Sequence, residues 1–82
     1  MKTRQEIIQE INPKMAEEFE IDEATILPDA AIFETLELDS ISLIDLIGIV
    51  HANFGIKIGK EEIPQIKTFN DLYDYIEKNQ QS

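Results

Sequence analysis

The sequence predicts a small all-α protein, a bundle of three main helices plus one short helix, with a long connection between the first two main helices. Three observations predict this fold class. Apolar residues recur at intervals of three and four in three separate stretches, which is the period of an amphipathic α-helix. Two of these stretches open at a residue that caps helices well, Asp39 and Thr68. The length of 82 residues suits a single domain spanning positions 1–82.

The first main helix is predicted near the amino terminus. Its apolar residues lie at roughly helical spacing with charged residues between them: Ile7, Ile8, Ile11, Met15 and Phe19. Pro13 falls inside this pattern. Because a proline within a helix removes one hydrogen bond and crowds the preceding turn, we expect a kink or a delayed helix start there.

A long connection follows, because the helical period fades between residues 21 and 37 and the Pro28-Asp29 pair indicates a turn. The connection nevertheless contains five large apolar residues: Ile26, Leu27, Ile32, Phe33 and Leu36. Since apolar surface is driven out of water, we expect this connection to lie against the core.

The second main helix is predicted to run from about Ser40 to Phe54 and is the best-defined element. Asp39 can accept hydrogen bonds from the first backbone N–H groups, and Gly55 stands where a glycine often ends a helix. One continuous apolar stripe runs along this helix: Leu43, Leu46, Ile47, Val50 and Phe54.

The remaining chain predicts a short, weak helical patch at residues 60–66, interrupted by Pro64, and then the last main helix. This last helix is predicted to start at Thr68, with Asp71 three residues on to form a near capping box. Four residues are expected to form its buried face: Phe69, Leu72, Tyr73 and Ile76. Residues 80–82 are expected to fray.

The formal net charge is −10, and no Lys or Arg lies between Lys14 and Lys57. Such a surface repels phosphate backbones and anionic headgroups, so it disfavours nucleic-acid and membrane-surface binding and favours a basic protein partner.

The sequence has no Cys, no signal-peptide pattern at its start and no apolar run near the ~20 residues of a membrane span. We expect a cytoplasmic monomer without stable membrane insertion.

Ser40 is the first candidate for chemistry. Because the Asp39-Ser40 pair stands where a connection meets a helix, the hydroxyl should be exposed, and the N–H groups of a helix start suit a phosphate. Such a pair is also an ordinary helix opening, so the pair alone does not distinguish a modification site from a plain helix start.

His51 cannot form a catalytic dyad with Ser40, since eleven residues along one helix span ~16 Å. We predict no catalytic residues and no metal site.

The wider context of this pair resembles the acyl carrier proteins. In residues 36–46 the Asp39-Ser40 pair is followed by an aliphatic Ile41 and an amphipathic helix with the acid Asp45, which is similar to the signature of that family. Residues 26–33 resemble the family's approach to this helix, residues 54–58 its exit, and residues 66–72 the entry to the last helix. The resemblance therefore covers nearly the whole chain in order and spacing.

The resemblance implies that Ser40 accepts 4′-phosphopantetheine from coenzyme A through a separate phosphopantetheinyl transferase. It also implies that acyl groups for fatty-acid or polyketide-like synthesis are carried as thioesters on this arm. Acyl-transfer, condensing or ligase enzymes with basic or apolar docking patches would bind the start of the second main helix: Asp39, Ile41, Ile44 and Asp45. Leu46, Ile47 and Phe54 would shelter the cargo, although each equally suits an ordinary core.

Departures from the family pattern leave the modification site intact but bear on the usual set of partners, and two alternatives to the leading interpretation stay open. Glu37 and Leu38 stand where a glycine is common, Lys60 stands where an acid is frequent, and the later half of the second main helix carries no carboxylate. One alternative is an aminoacyl, peptidyl or D-alanyl carrier with the same arm. A second is an unmodified helical interaction module, in which Ser40 only opens a helix.

Overall fold

The computed structural model describes residues 2–80, and four α-helices form its framework. Their bounds are α1 Arg4–Glu18, α2 Ile32–Thr35, α3 Ser40–Phe54 and α4 Phe69–Asn79. Two 3-10 turns, Glu23–Thr25 and Ile63–Gln65, complete the regular structure, and no β-strand occurs in this part of the chain. This architecture confirms the predicted all-α bundle of three main helices and one short helix.

A complete capping box fixes the first turn of helix α1, which bears on one of the two effects expected at Pro13, a kink or a delayed helix start. The Thr3 hydroxyl accepts a hydrogen bond from the Glu6 backbone N–H at 3.2 Å, and the Glu6 carboxylate accepts one from the Thr3 N–H at 2.9 Å. Two N–H groups that the helix start leaves unpartnered are thereby satisfied. The predicted delayed start at Pro13 is wrong, since the helix begins at Arg4.

Pro13 lies inside α1 without ending it. A proline at this position removes the hydrogen bond to the carbonyl of Gln9. Gln9 and Pro13 are both exposed, so water can take the place of the missing donor. Ile11 and Met15 on either side of the proline are completely buried, and their packing holds both halves of the helix against the core.

The long connection is attached to the start of α4 by an isolated antiparallel bridge between Ala31 and Thr68. Here the Ile32 N–H donates to the Lys67 carbonyl at 2.9 Å, and the Phe69 N–H donates to the Ala30 carbonyl at 3.3 Å. Helix α2 begins directly after this bridge. The weak helical patch predicted at residues 60–66 forms the three-residue 3-10 helix Ile63–Gln65, which contains Pro64, and α2 is a further short helix that the sequence did not predict.

The connection lies against the core as expected, since three of its five apolar residues are buried, namely Ile26, Ile32 and Leu36. Leu27 and Phe33 are 58% and 41% exposed. An isolated exposed apolar residue is common on protein surfaces. Phe33, however, also lines the cavity described below.

The core is apolar and draws on all three main helices. All four residues predicted for the buried face of α4 are buried, which confirms that face. The stripe of α3 is buried at Leu46 and Val50 and half-buried at the other three predicted positions. One polar pair lies inside this core, where the Tyr73 hydroxyl donates to the side-chain oxygen of Asn12 at 2.7 Å. Because a buried polar group without a partner is destabilising by ~1–3 kcal/mol, this pair fixes how α1 and α4 align.

Polar contacts at the surface strengthen the same pairing of α1 with α4. The Arg4 guanidinium donates to the Glu77 carboxylate at 3.0 Å and to the Asn70 side-chain oxygen at 3.2 Å, and it also pairs with Asp74. Half-exposed ion pairs of this kind contribute ~1 kcal/mol or less each. Several on one guanidinium nevertheless fix the position of the first turn of α1 on α4.

The described ends of the chain are held together rather than frayed. The Lys2 N–H donates to the Gln80 side-chain oxygen at 2.7 Å, and the Gln80 amide nitrogen donates to the Lys2 carbonyl at 2.9 Å. The predicted fraying is therefore wrong at Gln80. Its other two positions, Gln81 and Ser82, lie outside the described residues.

Two glutamates adopt the left-handed backbone conformation that favours glycine. Glu20 has φ 54° and Glu37 has φ 51°. At Glu20 this conformation lets the Ile21 N–H reach back to the Ala16 carbonyl at 3.0 Å, which closes the carboxyl end of α1. At Glu37 it turns the chain from α2 towards α3. A side chain at such a position is strained, because its Cβ approaches the following carbonyl.

We predict that Glu20→Gly increases the free energy of unfolding by about 1 kcal/mol relative to Glu20→Ala. Both variants remove the same negative charge, but only glycine relieves the strain at φ 54°. Chemical denaturation of the two variants under identical conditions measures the difference. Equal stabilities would contradict the assignment of strain to this residue.

Candidate functional site

Helix α3 begins at Ser40 because the Asp39 carboxylate caps it. One carboxylate oxygen accepts hydrogen bonds from the Ile41 N–H at 3.0 Å and the Ser42 N–H at 2.7 Å. Hydrogen bonding from Ser42, and less strongly from Ile41, lowers the pKa of Asp39 below its ordinary value. Gly55 ends the helix with φ 68°, so both predicted ends of this helix are confirmed.

Ser40 is exposed, and within residues 2–80 its hydroxyl makes no hydrogen bond. A transferring enzyme can therefore reach the hydroxyl without unfolding the helix. We expected the first N–H groups of α3 to be available to a phosphate on Ser40, and this is wrong for the two that Asp39 occupies. A phosphate on Ser40 would lie beside the capping carboxylate, and like-charge repulsion would favour an outward position.

Helix α3 presents two faces with different surroundings. Ser40, Leu43 and Ile47 follow one another at intervals of three and four, so they lie along one face of the helix. Leu43 and Ile47 are half-buried and line a cavity. Ile41 and Ile44 are 73% and 66% exposed, and Ile44 follows Ser40 by four residues, so it is a neighbour of Ser40 on the helix surface. Ser40 therefore lies between the half-buried cavity residues on one side and the exposed apolar pair on the other.

The predicted partner-binding residues all lie at the surface near the start of α3. Asp39 and Asp45 are exposed, and Ile41 and Ile44 are the most exposed large apolar residues in the described chain. Further along, Gly48 has no atom within 4 Å of the position that a Cβ would occupy. The outer surface of this helix is therefore open and carries little charge.

A small apolar cavity lies beneath the serine face of α3. It measures about 10 Å³, enough for roughly one water-sized sphere. Its walls come from α2, α3, α4 and the segment between the last two: Ile32, Phe33, Leu43, Leu46, Ile47, Ile58, Ile63, Ile66 and Leu72. Of the three residues suggested to shelter a cargo, Leu46 and Ile47 line the cavity and Phe54 does not.

The sequence did not identify the remaining wall residues of this cavity as a group. Ile63 and Ile66 lie in the predicted weak helical patch, Ile58 lies before it, and Phe33 lies in the connection before α3. The available signal was the number of apolar residues in the two segments that join the main helices. That signal indicates burial, but it does not indicate which cavity the residues line.

The described residues give little support to a catalytic histidine, a metal site or a membrane span. His51 is exposed in the last turn of α3, far along the helix from Ser40. No group of three or more His, Cys, Asp or Glu side chains between residues 2 and 80 is arranged to hold a metal ion. None of the helices in that range combines the length and the apolar composition needed to cross a membrane.

An exposed serine that opens a helix above an apolar cavity suits a protein that holds an apolar group covalently. Comparison with known proteins agrees with this class. A family model described as a phosphopantetheine attachment site matches residues 9–76. The chain belongs to this family, which confirms the resemblance stated from the sequence.

Relatives extend over almost the whole chain. An acyl carrier protein of Rubrobacter xylanophilus is 36% identical over 77 residues, covering 94% of this chain and 95% of the relative. One from Thermotoga maritima is 31% identical over 78 residues, covering 95% and 96%. One from Coprothermobacter proteolyticus is 34% identical over 76 residues, covering 93% of each. The comparisons place the chain among carriers rather than catalysts, and its cofactor is a covalently attached 4′-phosphopantetheine.

We predict that the Asp39 cap stabilises the protein in a pH-dependent way. The pKa of Asp39 is lower in the folded protein than its ordinary value of 3.8, so the carboxylate stabilises the fold above that value. This stabilisation is lost as the pH falls through the lowered folded-state pKa. The melting temperature of Asp39→Ala should therefore lie below that of the parent protein near neutral pH, and the two should converge as the pH falls from about 3.8 through the lowered folded-state pKa.

Thermal unfolding between pH 7 and pH 2 measures this difference. Asp45→Ala is the matched control, because it removes an exposed acid from the same helix without removing a cap. If the melting temperatures of Asp39→Ala and the parent protein differ by a constant amount down to pH 2, the ionised Asp39 carboxylate is not the cause of the difference.

Proposed function

We propose that this chain holds acyl intermediates as thioesters on a 4′-phosphopantetheine arm attached to Ser40 and presents them to biosynthetic enzymes. Residues 1–82 form a single carrier domain, which acts as a monomer in the cytoplasm. The observation that carries this proposal is the exposed Ser40 hydroxyl at the start of α3, on the helix face that overlies the apolar cavity. Membership of the phosphopantetheine attachment family supports it.

Attachment needs only an accessible hydroxyl from this chain. The Ser40 oxygen forms a bond to the phosphorus that bears the pantetheine group of coenzyme A, and the pyrophosphate bond of coenzyme A breaks. Adenosine 3′,5′-bisphosphate leaves, and the hydroxyl proton passes to a base of the transferase. The single histidine of the chain cannot be this base, because it lies ~16 Å along α3 from Ser40.

An acyl cargo suits the surroundings of Ser40 better than an aminoacyl cargo. The arm supplies a terminal thiol, and the chain itself has no Cys. Every residue that lines the neighbouring cavity is apolar. Burying the charged amino group of an aminoacyl or D-alanyl cargo there would be strongly unfavourable, whereas an aliphatic chain gains from leaving water. The cavity therefore supports fatty-acyl or polyketide-like intermediates.

We infer that partner enzymes dock on the start of α3 through Asp39, Ile41, Ile44 and Asp45. The transferase and the acyl-transfer, condensing or ligase enzymes would offer basic or apolar patches to this surface. Ile41 and Ile44 are 73% and 66% exposed, so a partner that covers them removes much apolar surface from water. Exposed charges such as Asp45 steer the encounter more than they strengthen the complex.

We predict that Ser40→Ala abolishes attachment of phosphopantetheine with little loss of stability. The Ser40 hydroxyl makes no hydrogen bond within the described chain, so its removal leaves no group unpartnered. Intact mass after incubation with coenzyme A and a phosphopantetheinyl transferase measures attachment. Ser42→Ala is the matched control and should still gain the mass of the arm. If Ser40→Ala also gains this mass, the attachment site lies elsewhere.

We predict that Ile44→Ala impairs cargo transfer to the cognate enzyme more than Asp45→Ala does at moderate salt. A buried apolar anchor is worth more than an exposed charge pair, so we expect a loss of roughly tenfold for Ile44→Ala and a few-fold for Asp45→Ala. The rate of transfer at low and at moderate salt is the measurement. Leu27→Ala controls for the loss of an exposed apolar side chain outside α3. A larger effect of Asp45→Ala at both salt concentrations would contradict docking by apolar contact.

A further inference from the structure

The cavity beneath Ser40 is almost filled by its own walls. A space of about 10 Å³ holds roughly one water-sized sphere, which is far too small for an acyl chain of several carbons. An acyl chain can enter only if a wall side chain moves out of its way. The wall residue that moves should be the one whose displacement costs the least free energy.

Phe33 is the wall residue whose displacement would expose the least additional apolar surface. It is 41% exposed, whereas the other eight wall residues are buried or half-buried. Five of them belong to the core itself: Ile32, Leu46, Ile58, Ile66 and Leu72. Moving one of those five would expose apolar surface that is now completely shielded, while the Phe33 ring already contacts water on one side.

Phe33 is also joined to the segment that leads to Ser40. Its carbonyl accepts a hydrogen bond from the Leu38 N–H at 3.0 Å, and Leu38 precedes Ser40 by two residues. Leu43, one turn after Ser40 on the same helix face, lines the cavity as well. Among the wall residues, Phe33 and Leu43 thus have these direct connections to Ser40, so we expect a chain that enters the cavity from Ser40 to meet them.

The main chain around Phe33 is fixed independently of its ring. The Ile32 N–H is held by the Lys67 carbonyl at 2.9 Å, and the Leu36 N–H is held by the Ile32 carbonyl at 2.9 Å. The ring can therefore change rotamer without loss of these hydrogen bonds. Substitution of the ring also leaves these bonds in place.

We propose that the Phe33 ring occupies space that the acyl chain takes, so that the displacement of this ring sets how well the protein shelters its cargo. This inference rests on the proposed function, since it assumes a cargo attached at Ser40. A cargo in the parent protein competes with the ring for the same apolar walls. A smaller side chain at position 33 removes this competition, and the acyl chain then occupies the cavity more of the time.

The test uses the full chain loaded with an octanoyl-phosphopantetheine group from octanoyl coenzyme A by a phosphopantetheinyl transferase. Phe33→Ala, Phe33→Leu and the parent protein are compared. Leu27→Ala is the matched control, because Leu27 is an exposed apolar residue of the same connection that does not line the cavity. Two readouts are measured: the rate at which hydroxylamine cleaves the thioester, and the melting temperature of the octanoyl form minus that of the unacylated form.

We expect cleavage to be roughly three- to tenfold slower in Phe33→Ala than in the parent, because the ring no longer competes with the acyl chain for the apolar walls. The increase in melting temperature on acylation should also be larger in Phe33→Ala. Phe33→Leu should fall between the two, and Leu27→Ala should behave as the parent does.

The proposal is overturned if Phe33→Ala is cleaved as fast as the parent or faster, or if Leu27→Ala gives the same protection. Circular dichroism checks that Phe33→Ala is folded; should it be unfolded, Phe33→Leu decides, and unchanged protection there overturns the proposal. Failure of the proposed function is distinguishable, because the parent protein would then gain no phosphopantetheine mass at all.

Discussion

The pairing of Ala31 with Thr68 is the constraint on which the rest of the site depends. It converts a connection of about twenty residues into two short, anchored segments, and the shorter one leads to Ser40. Without this anchor, the entropy of a free loop would oppose the burial of Ile32. The same anchor determines where α2 begins, and therefore positions Phe33 at the cavity. The site beneath Ser40 thus depends on a contact with Thr68, which is distant from Ser40 in sequence.

The helices that could be predicted from the sequence are those whose ends are fixed by local chemistry. Asp39 and Gly55 define α3 by hydrogen bonds within one turn and by a left-handed backbone, so both bounds were readable from residue types alone. Thr68 defines the start of α4 for the same reason. Pro13 misled the prediction, because its effect depends on whether the lost hydrogen bond faces water, and exposure is a property of the folded protein.

The attachment serine could be predicted, but the cavity could not. Ser40 stands out through its neighbours in sequence, whereas the cavity is formed by residues from four separate segments. Phe33 and Leu27 show the limit clearly, since the sequence predicted that their connection lies against the core but not that these two residues are exposed. Their positions follow from the bridge at Ala31, which pairs distant residues and leaves no local pattern. The strain at Glu37 is likewise invisible until its φ of 51° is known.

The pairing of α1 with α4 and the attachment of α3 to the bundle depend on different kinds of interaction, and this difference suits a carrier. Side-chain hydrogen bonds and ion pairs that join two helices in residues 2–80 all connect α1 with α4, through Arg4 and through the Asn12–Tyr73 pair. Such contacts are directional and allow one alignment. Helix α3 is attached to the bundle by apolar contacts. Because these are non-directional, α3 and the walls of the cavity can repack around an enclosed chain while α1 and α4 keep their alignment. A protein that must stay folded with and without an apolar cargo needs both properties, and here they are provided by different helices.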